Sequence, residues 1–130
     1  MEYRCIPMVQ ISEAESRVME ALWKKEPLTL DQIFAAVGAA NDWQPGTVKT
    51  LVTRLLKKKA IAGGKEGEAY CYRPLVKRAD WVGAESRGLI DRLFKGEVAP
   101  LVAHFAAAKE LSAKDIRELK ALVKRIEEDE

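Results

Sequence analysis

The stretch WQPGTVKTLVTRLLKKK, residues 43–59, joins an apolar repeat at helical spacing to a run of cations, and it contains no acidic residue. Pro45 suits the first turn of a helix, because the N–H that proline lacks has no helical partner there. At 100° per residue, one broad apolar arc marks the buried side of this helix: Val48, Leu51, Val52, Leu55 and Leu56. The opposite, solvent-facing side carries small residues and cations: Gly46, Thr47, Thr50, Arg54 and Lys57, with Lys49 at its edge.

Two helices are predicted before this one, and a hairpin after it. Ser12 with Glu15, and Thr29 with Gln32, have the spacing of capping boxes at helix starts. Residues 60–62 and 69–73 flank a glycine-rich turn and predict two short strands that end at Pro74. Three helices followed by a hairpin is the order of a winged helix, in which the third helix is presented to a partner and the hairpin is the wing.

Residues 76–130 carry a different pattern, with three further helices: one over 78–95, one that starts at Pro100 and one capped by Ser112. We therefore predict a mainly α protein with a small β-hairpin, divided into a winged-helix DNA-binding domain at 1–75 and a helical dimerisation region at 76–130. The narrow apolar stripes of that region bury little surface alone, and pairing with a second copy doubles the burial. The residues expected in the dimer are Leu89, Leu93, Phe94, Leu101, Phe105, Ile116, Leu119, Leu122, Val123 and Ile126. Folding back onto the first domain is the alternative.

Charge is unevenly distributed along the chain. The total of +2 includes +6 in residues 43–65 alone, so the remainder sums to −4. Such segregation indicates an anionic partner at one surface. An α-helix fits the DNA major groove, and the residues predicted to read bases are Thr47, Thr50 and Arg54. Phosphate contacts are predicted for Lys49, Lys57, Lys58 and, in the wing, Lys65.

The sequence also bears on functions other than DNA binding. A lysine-rich helix end is commonly a solvated face that complements the helix dipole, but the helix-and-wing context favours DNA. The alternative is a winged-helix interaction module that binds an acidic protein surface. No phosphate loop, catalytic triad or metalloprotease motif is present, so we expect no enzyme and no cofactor. One histidine and two separated cysteines, Cys5 and Cys71, predict no metal site and reduced thiols. Without a signal peptide or a membrane-spanning apolar run, a cytoplasmic protein is expected.

The chain resembles the penicillinase-repressor family of bacterial transcription regulators, the BlaI/MecI type. The residues that carry the resemblance are Ile11 to Glu15, Leu22-Trp23, the string W-x-P-x-T-V-x-T-L-x-x-R-L from Trp43, Tyr70 to Leu75, Ala84 to Ser86 and Leu101 to Phe105. The resemblance implies a homodimeric winged-helix repressor on a palindromic operator, with Thr47, Thr50 and Arg54 in contact with DNA. It also implies induction by a membrane sensor-protease system that causes cleavage in the dimerisation region, at the position of His104-Phe105.

Three positions depart from the family pattern. Gly46 replaces a frequent lysine, and Lys59 stands where a helix-ending glycine is common, so either the third helix ends differently or Lys59 adopts a left-handed conformation. His104 replaces the asparagine of the cleavage bond. The C-terminal tail lacks the cysteine cluster of the copper-sensing branch, which disfavours direct copper sensing.

Overall fold

A computed structural model describes residues 9–129, which form nine helices and strands. In chain order they are α1 Glu13–Lys24, β1 Leu28–Thr29, α2 Leu30–Asn41, α3 Pro45–Lys57, β2 Ile61–Glu66, β3 Ala69–Pro74, α4 Arg78–Phe94, α5 Ala99–Ala107 and α6 Ala113–Glu128. The predicted mainly α architecture with a small hairpin is confirmed. The described chain divides into two compact units, one ending at Ala84 and one beginning at Glu85.

Helix starts follow the predicted capping pattern. The Ser12 hydroxyl accepts a hydrogen bond from the Glu15 N–H at 3.1 Å, and the Glu15 carboxylate accepts from the Ser12 N–H at 2.9 Å. The same reciprocal pair forms between Thr29 and Gln32 in α2, and a third forms at the start of α6. Each box satisfies two amides that have no helical partner, and a cap of this kind stabilises a helix by about 1 kcal/mol.

The core of the first unit lies between its three helices and the sheet. α3 contributes the predicted arc, with Val48, Leu51, Val52 and Leu55 buried and Leu56 half-buried. The other buried apolar residues come mainly from α1, α2 and the strands: Ile11, Val18, Met19, Leu22, Leu28, Ile33, Val37, Ala60 and Ile61. Because one side of α3 is fixed against this core, its other side is held at a defined position in solvent.

The sheet has three strands in the order β1-β3-β2, all antiparallel. The predicted hairpin is confirmed, with Ile61 opposite Pro74 and Glu66 opposite Ala69. β1 was not predicted; its Leu28 pairs with Tyr72 across the sheet. This pairing connects the β3 edge of the hairpin to the segment between α1 and α2.

The first unit includes the beginning of α4. The Trp23 indole Nε1 donates a hydrogen bond to the Val76 carbonyl oxygen at 2.8 Å, and the rings of Trp23 and Trp81 lie 5.6 Å apart. Arg78 pairs with Glu20 on α1, with 2.7 Å between Nε and Oε1. These contacts place residues 76–84 with the winged helix, beyond the boundary predicted after residue 75. The Cys71 thiol is free, and Cys5 lies outside the described residues.

The second unit has little interior of its own. No residue of α5 or α6 is buried, and neither is any residue of α4. An apolar groove of about 480 Å³ runs between α5 and α6. Its lining includes Leu101, Val102, Phe105, Leu111, Leu119 and Leu122. Among the helices of residues 9–129, none has the length and apolarity required to cross a membrane.

Of the two alternatives for the end of the third helix, the structure shows a left-handed Lys59, with φ of 63° directly after the α3 cap. The turn is closed by the Ala60 N–H, which donates to the Leu55 carbonyl oxygen at 3.0 Å. Left-handed backbone is unfavourable for residues with a Cβ, so we expect Lys59→Gly to raise the free energy of unfolding by about 0.5–1 kcal/mol. Urea denaturation measures this. Lys49→Gly, at an exposed site inside α3, is the control and should lower stability by about 1 kcal/mol; a loss of stability for Lys59→Gly would contradict the expectation.

Candidate nucleic-acid interface

One side of α3 is open to solvent along its whole length. We call it the exposed α3 face; its residues are Gly46, Thr47, Thr50, Thr53, Arg54 and Lys57, all of them exposed. Because Val48, Leu51, Val52 and Leu55 are buried on the other side, the two sets cannot exchange without unfolding the helix. The three residues predicted to read bases, Thr47, Thr50 and Arg54, are thus brought together on one surface.

Two threonine hydroxyls on this face are oriented by the helix backbone. Thr50 Oγ1 donates to the Gly46 carbonyl oxygen at 3.0 Å, and Thr53 Oγ1 donates to the Lys49 carbonyl oxygen at 2.9 Å. With the proton used in this way, the hydroxyl oxygen remains an acceptor for a base amino group. Thr53 was not singled out from the sequence, although its position 60° from Thr50 on the helical wheel indicates that it shares the face.

Most of the predicted cations have no acidic partner. Within residues 9–129, no carboxylate lies at ion-pair distance from Lys49, Arg54, Lys57 or Lys65. All four side chains are exposed. Their charges are therefore available to an anionic partner, and a regularly charged polyanion such as DNA fits several at once.

Lys58 is different. Its Nζ lies 2.5 Å from Glu15 Oε1 and donates to the Gln10 carbonyl oxygen at 2.9 Å. Glu15 is only 2% exposed and is the one buried charged residue of the described chain. Burial raises the pKa of Glu15, but hydrogen bonds from Lys58 and Ser12 outweigh it, and the net pKa lies below its ordinary value. This geometry favours an intramolecular role for Lys58 over the phosphate contact predicted from sequence.

The wing presents Lys65 directly opposite Tyr70 in the hairpin register. Tyr70 and Tyr72 lie on one face of β3, with ring centroids 5.4 Å apart, as their spacing predicts. The Tyr70 ring also covers Gly63, where an added Cβ would lie 2.7 Å from it. An alanine at that position would therefore displace the ring beside Lys65.

The bond singled out as a cleavage candidate lies within a helix. His104 and Phe105 belong to α5. The centroid of the His104 ring lies 5.5 Å from that of Phe105 and 6.4 Å from that of Phe94. A protease acts on a locally opened segment, so cleavage there requires α5 to unfold at least in part.

Residues 11–125 match the family described as penicillinase repressor. The chain belongs to this family. A penicillinase repressor from Bacillus licheniformis is 31% identical over 110 residues, which are 85% of this chain and 86% of that protein. The methicillin resistance regulatory protein MecI of Mammaliicoccus sciuri is 33% identical over 116 residues, or 89% of this chain and 94% of that one. Membership of the penicillinase repressor family thus rests on nearly the whole chain.

A solved structure of a family member resembles the first unit. It is the monomeric form of the Bacillus licheniformis repressor BlaI in complex with the blaP half-operator. That protein is 34% identical to this chain, with a TM-score of 0.51 over 55% of this chain and 87% of the other. The winged-helix fold is therefore shared with a repressor that has been observed on DNA.

Proposed function

We propose that this chain is a transcriptional repressor that binds double-stranded operator DNA through the exposed α3 face. The observation that carries the proposal is the combination of outward-facing Thr47, Thr50 and Arg54 with cations that have no acidic partner in residues 9–129. A relative solved in complex with a half-operator supports DNA as the partner, and the major groove admits an α-helix such as α3.

Each side chain has a role suited to its chemistry. The Arg54 guanidinium donates two parallel hydrogen bonds, which match O6 and N7 of guanine. Thr47 and Thr50 offer hydroxyl oxygens to base amino groups and methyl groups to thymine. Lys49, Lys57 and the wing residue Lys65 neutralise phosphates, which adds affinity without sequence readout.

Dimerisation belongs to the same proposal. The second unit leaves large apolar side chains in solvent, including Leu93 at 60%, Val123 at 53% and Ile126 at 54% exposure. A patch of this kind on a helical unit with no buried residue is suited to a second copy of itself. Two copies present two α3 helices, which fits a palindromic operator, and the second half-site is then bound intramolecularly.

We propose that repression ends when proteolysis in the dimerisation region disrupts the dimer. This proposal rests on the family resemblance and on the position of His104-Phe105 within α5, where cleavage would separate α6 from the DNA-binding unit. The family names of the relatives, penicillinase and methicillin resistance, point to antibiotic resistance as the regulated process. A sensor-protease is the partner that this step requires.

Fluorescence anisotropy with a random-sequence duplex tests DNA binding directly. Three phosphate-contacting lysines per protomer give about six contacts in a dimer, so we expect the affinity to fall roughly 10³-fold between 50 and 200 mM salt. A duplex selected by the protein from a random library should bind more tightly than the random duplex. The alternative is a module that binds an acidic protein surface. It predicts that selection from the library enriches no sequence and that every duplex binds equally weakly.

A further inference from the structure

The Lys58 ammonium lies where the end of α3 meets the beginning of α1. Its two partners are the Glu15 carboxylate, in the first turn of α1, and the Gln10 carbonyl oxygen, which precedes that helix. Lys58 itself is the C-cap of α3, and its N–H donates to the Arg54 carbonyl oxygen at 3.0 Å. One side chain thus connects the helix that carries Arg54 to a different part of the core.

Glu15 and Gln10 occupy two of the three donors of the Lys58 ammonium, and a Lys58 side chain that turned away to a DNA phosphate would break this pair. Glu15 would then keep its charge in a site that is 2% exposed, stabilised by Ser12 but without a counter-charge. Leaving a buried charge without its counter-charge is strongly unfavourable, whereas one surface phosphate contact contributes modestly. We therefore expect the ammonium to stay paired with Glu15 when DNA is bound.

The same residue precedes the wing. Lys59 turns the chain through a left-handed conformation, and Ala60, which is fully buried, leads into β2. The Ala60 carbonyl oxygen accepts a hydrogen bond from the Leu75 N–H at 2.8 Å, which closes the open end of the hairpin where β3 finishes. The position of Lys58 consequently affects both the end of α3 and the beginning of the wing.

We propose that Lys58 is a positioning residue: its ion pair with Glu15 fixes the orientation of the exposed α3 face and the wing, and it makes no phosphate contact. The inference rests on the proposed DNA-binding function. It makes Lys58 functionally distinct from its neighbour Lys57, although the two lysines are adjacent and have the same charge.

The test compares Lys57→Met with Lys58→Met, the same substitution at consecutive positions. Each full-length variant is titrated against the duplex selected by the wild type and against a random duplex, at several salt concentrations. Stoichiometric titration first gives the active fraction, so a change in the amount of folded protein does not enter the affinities. Glu15→Gln is measured in parallel because it weakens the pair without removing a cation.

Different readouts should change in the two lysine variants. The salt slope is the slope of log affinity against log salt concentration. For Lys57→Met its magnitude should decrease by about 0.9 for each lost phosphate contact, and the ratio of the affinities for the selected and random duplexes should not change. For Lys58→Met, the salt slope should equal that of the wild type, while the affinity ratio falls roughly tenfold, the loss typical of one mismatched base pair. Glu15→Gln should lower the ratio in the same direction.

Several results would overturn the inference. One is a Lys58→Met salt slope that falls as it does for Lys57→Met; another is tighter DNA binding by Glu15→Gln, as expected if a freed Lys58 reaches a phosphate. An unchanged affinity ratio for folded Lys58→Met would mean that the Lys58–Glu15 pair contributes only to stability and does not position the exposed α3 face. If Lys58→Met does not fold, the double variant Glu15→Gln/Lys58→Met removes both charges and should show the same lowered ratio. A wild type that binds neither duplex would instead refute the proposed function itself.

Discussion

Val123→Glu is expected to abolish the dimer and to lower the affinity for an inverted repeat of two half-sites by about 10²- to 10⁴-fold. Val123 lies on the exposed apolar face of α6 and is 53% exposed. In the proposed symmetric dimer the new carboxylate is taken out of water in both subunits, with no counter-charge to compensate. Sedimentation velocity measures the dimer, and anisotropy measures the affinity.

The matched control is Ala121→Glu, which introduces the same side chain on the opposite, solvated side of α6. This variant should remain dimeric and bind the inverted repeat like the wild type. Binding to a single half-site should be nearly the same for all three proteins, because the winged-helix unit is untouched. A Val123→Glu protein that stays dimeric at micromolar concentration would place the subunit contact elsewhere.

Arg54→Ala is expected to remove the preference for one base pair in each half-site. A bidentate contact to guanine contributes about 1–3 kcal/mol of discrimination between bases. The affinity of the variant for the selected duplex should therefore fall roughly 5- to 150-fold, and its affinity for random DNA should fall much less. Lys57→Ala, one turn along the exposed α3 face, is the control and should weaken all sequences by a similar factor. Repeating the selection from a random library with the variant would show which position has become degenerate.

An equal loss on every sequence for Arg54→Ala would instead make Arg54 a phosphate contact. In that event base reading would fall to Thr47, Thr50 and the additional threonine of the face, Thr53. Combined replacement of the two oriented hydroxyls, Thr50→Val and Thr53→Val, would then be the informative measurement, because valine keeps the shape and removes the acceptor.

Features encoded within a few residues could be predicted from the sequence. The pair Ser12 and Glu15 forms the predicted capping box, since both partners lie within one turn. The apolar arc of α3 is buried as its spacing indicates, and the residues proposed to read bases lie on the opposite, exposed side of the helix. A left-handed Lys59 was one of two alternatives, raised by the glycine that the family commonly has at this position, and the structure shows it.

Features that depend on distant partners could not be predicted. β1 has two residues and therefore no periodicity, and it exists because β3 offers an edge to Leu28 and Thr29. Lys58 was predicted to contact phosphate like Lys57 because the sequence does not distinguish adjacent lysines. Its partner Glu15 is 43 residues away in the chain. Only tertiary structure distinguishes a lysine held by a buried carboxylate from one left in solvent.

The location of the tryptophans has a practical consequence for following unfolding. All three, Trp23, Trp43 and Trp81, belong to the unit that ends at Ala84, and none lies in α5 or α6. Intrinsic emission therefore reports on the winged helix alone, whereas far-ultraviolet circular dichroism records the helices of both units. Loss of ellipticity before any change in emission would mean that the C-terminal helices melt while the DNA-binding unit stays intact.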